Sequence, residues 1–321
     1  MAKYLITGIA GFIGSALAHA LVERGESVRG IDNLSTGYLA NIHDIARQVD
    51  FREADILDRE ALADACQGVD YVLHQAAVPS VPRSVADPYG SNRACLDGTL
   101  NVLIAARDSR VKRVVYAASS AAYGETPQLP KREDMPPDPI SPYGVAKLAG
   151  EFYLKSFYRC YGLETVSLRY FNIFGPRQDP SSQYSGVLAK FITLMLQGQP
   201  PTIYGDGEQS RDFTYVDNAV EANLNACTAP AERCAGRTLN VACGRRVSLN
   251  EIYKLLKDLT GYRGEVRYGE ERSGDIKHSL ADIGAAREAI GYDPQVGFEE
   301  GLRRTVEWSR RQMQTRATET H

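Results

Sequence analysis

Residues 8–14 read Gly8-Ile9-Ala10-Gly11-Phe12-Ile13-Gly14, three glycines at intervals of three. They stand between an apolar run, Tyr4-Leu5-Ile6, and a segment of helical periodicity from Phe12 to Arg24 that stops before Gly25. This arrangement predicts a buried strand that turns sharply into a helix. Gly8 permits the turn, Gly11 lets the backbone approach a pyrophosphate, and Gly14 lets the helix lie close to the strand. A helix start of this kind, with Phe12 and Ile13 in its first turn, offers free N–H groups and a positive dipole end to phosphates. The next strand, Ser27 to Ile31, ends at Asp32. A carboxylate there can accept hydrogen bonds from both ribose hydroxyls and repels a 2′-phosphate, so the expected dinucleotide is NAD rather than NADP.

The alternation continues. Val49 to Asp55 reads as a strand and Asp58 to Cys66 as a helix that Asp58 caps. Val69 to Ala77 is a strand, Pro88 to Arg107 a helix, and Val111 to Ser119 a β-branched strand. A proline-rich loop, 127–142, leads into a long helix from Tyr143 to Tyr161, with Pro142 in its first turn. Leu163 to Phe174 is a sixth strand. Near-continuous apolar strands separated by helices predict an α/β fold: a Rossmann-type doubly wound parallel sheet. Beyond Gly175 the pattern loosens. Strand pieces at Thr202-Ile203-Tyr204 and Asp212 to Val216 mix with helices at Val187 to Leu196 and Leu249 to Leu259, and a last helix runs from Phe298 to about Gln312. The expected division is a nucleotide-binding domain, 1–175, a smaller α/β substrate-binding region, 176–314, with some segments returning to the sheet, and a frayed tail, 315–321.

Tyr143 and Lys147 lie four apart, which on a helix is one face. An ammonium beside a phenol stabilises the phenolate, so the pair suggests a general base. The spacing alone is cheap. Tyr253-Lys254-Leu255-Leu256-Lys257 repeats it in a C-terminal helix without a glycine turn or a serine-ended strand nearby, and reads as an amphipathic surface. Tyr143 differs in following Ala117-Ala118-Ser119-Ser120, a strand end where α/β folds place their ligand crevice. The Ser119 hydroxyl can bond the reacting oxygen.

A net charge of −3 with charged residues at 24% gives no basic excess for nucleic acid or an anionic membrane. Six cysteines without a C-x-x-C pair read as reduced thiols and not as a metal site. No apolar run reaches the ~20 residues of a membrane span, and Met1 leads directly into a strand pattern without a signal segment. The expected location is cytoplasmic.

These motifs, taken together, resemble the extended short-chain dehydrogenase/reductase family, and within it the nucleotide-sugar 4-epimerases. The likeness covers nearly the whole chain: the glycine turn, Asp32, Asp55-Ile56, His74-Gln75-Ala76-Ala77, Ser119 with Tyr123-Gly124, Tyr143/Lys147, Arg169-Tyr170-Phe171-Asn172-Ile173-Phe174-Gly175-Pro176, Gly205-Asp206-Gly207 with Arg211-Asp212-Phe213, and Arg272-Ser273-Gly274-Asp275. The resemblance implies Ser119, Tyr143 and Lys147 as catalytic residues. It implies NAD contacts from Gly8, Gly11, Phe12, Ile13, Gly14, Asp32, Asn33, Ser35, Thr36, Gly37, Asp55, Ile56, Gln75, Ala76, Ala77, Tyr143, Lys147 and Tyr170. For a UDP-sugar it implies Ser80, Ser119, Ser120, Tyr143, Asn172, Gln178, Gly186, Val187, Tyr204, Arg211, Arg272, Asp275 and Ser279, the arginines serving the diphosphate. It also implies a homodimer through the helices 88–107 and 143–161. His74, closing a strand, reads as structural. One departure is Cys95, which stands where the family often has asparagine.

Within the resemblance, the chemistry narrows. Dehydratases of this kind carry an Asp-Glu pair after the serine strand, and sugar-acid decarboxylases a Glu; here the stretch is Ser119-Ser120-Ala121. A redox-neutral cycle remains: oxidation at C4, rotation of the 4-keto sugar, and hydride return to its other face. Ser279 occupies a position that is a bulky tyrosine in many UDP-glucose epimerases. With Ser80 and Gln178 it implies room for a 2-acetamido group, hence UDP-N-acetylglucosamine and UDP-N-acetylgalactosamine. The alternatives are UDP-glucose, UDP-glucuronate, or a non-catalytic NAD-binding regulator on the same fold.

Overall fold

The computed structural model describes residues 1–179, 186–271 and 277–319. The first half runs β1 (Lys3–Thr7), α1 (Phe12–Glu23), β2 (Ser27–Asp32), β3 (Val49–Glu53), α2 (Arg59–Cys66), β4 (Tyr71–His74), α3 (Val81–Ala86), α4 (Pro88–Asn92), α5 (Gly98–Asp108), β5 (Arg113–Ser119), α6 (Pro142–Tyr161) and β6 (Glu164–Tyr170). The second half adds the short strands β7 (Ile173–Phe174), β8 (Thr202–Tyr204), β9 (Ser210–Asp212), β10 (Thr214–Tyr215), β11 (Arg237–Val241), β12 (Arg246–Ser248) and β13 (Arg267–Gly269). Its helices are α7 (Val187–Leu196), α8 (Val216–Thr228), α9 (Ala231–Cys234), α10 (Leu249–Thr260), α11 (Gly284–Ile290) and α12 (Phe298–Glu319).

Seven strands form one parallel sheet in the order β11-β6-β5-β4-β1-β2-β3. Successive residues serve opposite faces. Ile6 and Val115 join one core with α1 and α8, while Leu5, Val72 and Val114 join the other with α2, α5 and α6. Covering both faces is what makes these strands read as unbroken apolar runs. Two arginines on strands tie helix ends to the sheet. Arg29 Nη1 donates to Ala65 O at 2.8 Å behind α2. Arg113, 1% exposed, donates through Nη1 to Ala226, Cys227 and Ala229 carbonyls at 2.6, 3.0 and 2.8 Å. Each guanidinium satisfies carbonyls that a helix C-terminus leaves without intrahelical partners.

Several elements differ from the sequence reading. The fourth strand stops at His74 rather than Ala77, because 75–77 turn out of the sheet toward the cavity described below. The sixth stops at Tyr170, because Asn172 adopts φ +41°, and the chain resumes as β7, paired with β10. The helix expected over 88–107 is interrupted by a π turn at Arg93–Asp97 that carries Cys95. The strand expected over 212–216 divides at Phe213. The last helix extends to Glu319, beyond Gln312, since 313–319 contain neither Gly nor Pro. Asp58 caps α2 as expected, accepting from Glu60 N and Ala61 N.

Candidate active site

The strand order reverses beside β1, between β4 and β2, and a cavity of about 730 Å3 opens there past the strands' carboxyl ends. Its floor is the glycine turn. Gly8, at φ +72°, donates its N–H to Ile31 O at 2.8 Å. A Cβ on Gly14 would lie 2.0 Å from Gly8 O, so only glycine allows α1 to start this close to the strand. Gly11 is the N-cap of α1 and has no side chain to occupy the first-turn N–H groups. Asp32, 8% exposed, closes this end. Its oxygens accept from Ala10 N at 2.9 Å and Leu34 N at 2.8 Å, which fixes the carboxylate against the turn. Burial pushes its pKa up, and the two backbone bonds oppose that. A cradle that a Cβ would fill, an open helix start and a fixed carboxylate at the second strand fit a dinucleotide pyrophosphate and ribose.

Asn33 Nδ2 donates to Asp55 Oδ2 at 2.7 Å. Gln75, Tyr170 and Asn223 form a closed ring: Asn223 Nδ2 donates to Tyr170 Oη at 2.7 Å, Tyr170 to Gln75 Oε1 at 3.3 Å, and Gln75 Nε2 to Asn223 Oδ1 at 3.1 Å. Asn223 was not anticipated, because it sits in α8, far along the chain from the motifs.

Beneath the 75–77 turn runs a buried hydrogen-bond relay. Thr99 Oγ1 donates to Cys95 O at 2.7 Å, so it must accept from His74 Nε2 at 2.9 Å. In the neutral form that burial favours, His74 Nδ1 is the acceptor for Thr7 Oγ1 at 2.7 Å, and Thr7 in turn accepts from Ala76 N at 3.2 Å. Burial pushes His74 down to about 3, with the Lys147 charge adding to the effect. Its role is structural: it ties the glycine strand, the 75–77 turn and the π turn together.

Ser119, Tyr143 and Lys147 meet on the opposite wall. Ser119 ends β5 and accepts from Ala121 N at 3.1 Å. Ser141 caps α6 and Pro142 occupies its first turn, which points Tyr143 and Lys147 at the strand end. Lys147, 2% exposed, donates to Ala117 O at 2.8 Å and lies 4.7 Å from the Tyr116 ring centroid. Burial raises the Tyr143 phenol above its ordinary value, the Cys95 side chain adds to the rise, and the facing Ser119 hydroxyl opposes it. Lys147, engaged with the Ala117 carbonyl, lies one helical turn along α6 on the same face as Tyr143.

The anticipated residues Gly8, Gly11, Phe12, Ile13, Gly14, Asp32, Asn33, Ser35, Thr36, Asp55, Ile56, Gln75, Ala76, Ala77, Ser80, Ser119, Tyr143, Lys147, Tyr170, Asn172, Gln178 and Gly186 all line this cavity. Others do not. A Cβ on Gly37 would press on Ala10 at 2.8 Å, so this glycine packs behind the turn. Ser120 begins a 3-10 turn, and Val187 packs against the core. Tyr204 lies on β8 beside β13, 39% exposed. Arg211 Nη1 donates to the carbonyls of Ser210 and Lys277 at 3.1 and 3.2 Å. Ser279 donates its N–H to Ser210 O at 3.0 Å. These belong to the small strands beside the cavity, and a linear motif does not say which side of such a strand faces in. Arg272 and Asp275 lie outside the described residues. The sequence reading also missed Tyr38, Arg83, Ala94, Ala117, Ala118 and Asp179 on the wall. Tyr38 Oη donates to Asp179 Oδ2 at 2.9 Å across the mouth, a contact between segments with no shared pattern.

Residues 4–242 match the NAD dependent epimerase/dehydratase family. The chain belongs to that family. Among solved members, a UDP-N-acetylglucosamine 4-epimerase from Methanobrevibacter ruminantium, in complex with UDP-N-acetylmuramic acid, is 42% identical with a TM-score of 0.92, covering 97% of this chain and 99% of that one. A UDP-glucose 4-epimerase from Thermotoga maritima with UDP-glucose is 40% identical, also with a TM-score of 0.92 and the same coverage. A putative UDP-glucose 4-epimerase of Methanocaldococcus jannaschii is 39% identical over 314 residues, 97% of this chain and 99% of the relative. As in other members of the epimerase/dehydratase family, NAD is the cofactor. Among the described residues, no helix is long and apolar enough to cross a membrane.

Proposed function

We propose that this protein is a UDP-hexose 4-epimerase that works through a transient 4-keto sugar, with UDP-N-acetylglucosamine and UDP-N-acetylgalactosamine as its preferred pair. The convergence of Ser119, Tyr143 and Lys147 on the cavity that holds the glycine turn and Asp32 carries this reading. Tyr143 takes the proton of the C4 hydroxyl, and Ser119 bonds the same oxygen. When bound, NAD+ supplies the acceptor for the C4 hydride, returns that hydride, and brings a positive charge into the wall. Tyr143 then returns the proton to the C4 oxygen after the sugar has presented its other face. The first half needs the phenolate, which the Lys147 ammonium and the charge of bound NAD+ would favour against burial, and the second half needs the phenol that burial favours. Lys147, fixed on Ala117 O, holds its charge at the base of the pair. Arg211 is assigned to the diphosphate. It sits with Arg246 and Lys277 around His278, a locally cationic strand edge.

Support for an acetamido sugar comes from Ser80 and Gln178, polar groups on the cavity wall, and from the likeness to an N-acetylglucosamine epimerase. Ser279 does not line the cavity, so the preference rests on the other two. A second reading has one observation in its favour: Arg83 lines the same wall, and a guanidinium suits the carboxylate of UDP-glucuronate. Proton NMR of mixtures started from UDP-N-acetylglucosamine, UDP-glucose and UDP-glucuronate separates these readings. The proposal expects the acetylated sugar to turn over fastest. Turnover confined to the glucuronate would overturn the sugar assignment, and no turnover with any of them would overturn the epimerase assignment.

We also infer a homodimer. Val145, Phe152 and Tyr158 of α6 are 52, 59 and 38% exposed, and Tyr89 of α4 is 75% exposed. Beside them Pro88, Pro139, Ile140 and Val145 line a groove. An apolar face of this extent on two neighbouring helices suits a second copy. The six free thiols are in keeping with a cytoplasmic location.

A further inference from the structure

Glu151 lies one helical turn beyond Lys147 and on the same face of α6. It is 4% exposed and Lys147 is 2% exposed. Arg169 of β6, also 4% exposed, grips its carboxylate with a fork: Nε to Oε1 at 2.9 Å and Nη2 to Oε2 at 2.7 Å. The guanidinium is steadied by the Tyr123 ring, 4.5 Å away. In the sheet register Arg169 stands opposite Ala118, next to the residue whose carbonyl accepts from Lys147. A buried ion pair of this kind adds little net stability over apolar side chains of similar volume. Here Arg169 Nη1 has no hydrogen-bond partner among the described residues, which makes the pair a poorer structural bridge still.

We propose that Glu151, oriented by Arg169, is a positioning residue that holds Lys147 in its protonated form inside the dry wall of the active site. The inference rests on the role given to Lys147 above. The titratable groups facing Lys147 are Tyr143 and Glu151 from α6, Tyr116 from β5, His74 from β4 and Cys95 from the π turn. Burial favours the neutral form of His74, and Glu151 is the one carboxylate of the set. Burial pushes the Lys147 pKa down, and Cys95 and Glu151 oppose this. Without the carboxylate, an ammonium held among the described residues by the Ala117 carbonyl would shed its proton at lower pH. Burial pushes Glu151 up, and the Arg169 and Lys147 charges oppose this; a fork that uses both carboxylate oxygens as acceptors favours the ionised form.

The test is Glu151→Gln, read by the pH profile of kcat/KM and by heteronuclear NMR titration of the Lys147 side chain in the NAD-loaded protein. Removing a neighbouring opposite charge disfavours the ammonium, so the alkaline limb and the lysine titration should both move to lower pH, by about one pH unit. Glu151→Asp should return both toward the wild-type position. The double variant Glu151→Gln/Arg169→Met removes the orphaned guanidinium, so it should regain thermal stability and still keep the shift. An unmoved Lys147 titration in both Gln-containing variants would reduce Glu151 to a structural bridge and overturn the proposal. The NMR arm does not need turnover, so a protein that epimerises nothing would refute the functional reading and leave this one decided separately.

Discussion

Gly14→Ala isolates what the opening glycine turn does. The new Cβ would stand 2.0 Å from Gly8 O, 2.8 Å from Gly8 C and 3.0 Å from Ile9 Cα, all of them backbone. No side chain can swing away, so α1 and the turn must separate by roughly 1 Å, an overpacking that costs about 1–3 kcal/mol. The same movement withdraws the α1 N–H groups from the place where a pyrophosphate would sit. A hydrogen bond to a charged group is worth about 1.5–3 kcal/mol, so losing one weakens NAD binding at least ~10-fold. Gly25→Ala is the control. Gly25 has φ +73° but nothing within 4 Å of a Cβ, so it should cost about 1 kcal/mol of stability through backbone strain alone and leave NAD affinity intact. The assay is bound NAD after dialysis, with thermal denaturation alongside. Gly14→Ala protein that retains NAD as the wild type does would refute the close-approach argument.

Tyr143→Phe should lower turnover by about 10²–10⁴-fold while purified protein still carries NAD, as judged by absorbance and rate. His74 predicts a pH effect on stability. Its folded value of about 3 lies below the ordinary 6.5, so the unfolded chain binds the extra proton and stability falls as pH drops below 6.5. Between pH 6.5 and 4.5 this group removes about 2 kcal/mol, and urea titrations of His74→Gln should lack that slope relative to wild type. Phe152→Lys should shift the molar mass measured by light scattering from dimer to monomer. A wild-type monomer at the same concentration would remove the dimer inference.

The glycine turn, Asp32 and the alternation of strands were legible because each is local: a turn, a strand end and a period of burial. The pairing of Tyr143 with Ser119 was legible for a related reason, since a serine-ended strand in this fold finishes at the crevice. What stayed hidden was set by contacts distant in sequence. Tyr38 meets Asp179 across the mouth, and Asn223 completes the ring on Tyr170. Arg211 was expected to face the diphosphate and Ser279 the sugar, and the structure shows both bonded to main-chain carbonyls of Ser210 or Lys277 at the strand edge. The π turn at Cys95 has no periodic signature. It becomes visible only where Thr99 binds the Cys95 carbonyl and His74 binds Thr99. The lysine's engagement with Ala117 O also depends on how α6 lies against β5, which spacing alone does not fix.

In the proposed cycle hydrogen leaves C4 and returns to C4 of one sugar inside one cavity, and Tyr143 handles only the proton. UDP-N-acetylglucosamine deuterated at C4, incubated with the protein in ordinary water until equilibrium, tests it directly. UDP-N-acetylgalactosamine should form with the deuterium still at C4. Product that has exchanged its C4 deuterium for solvent hydrogen would contradict it.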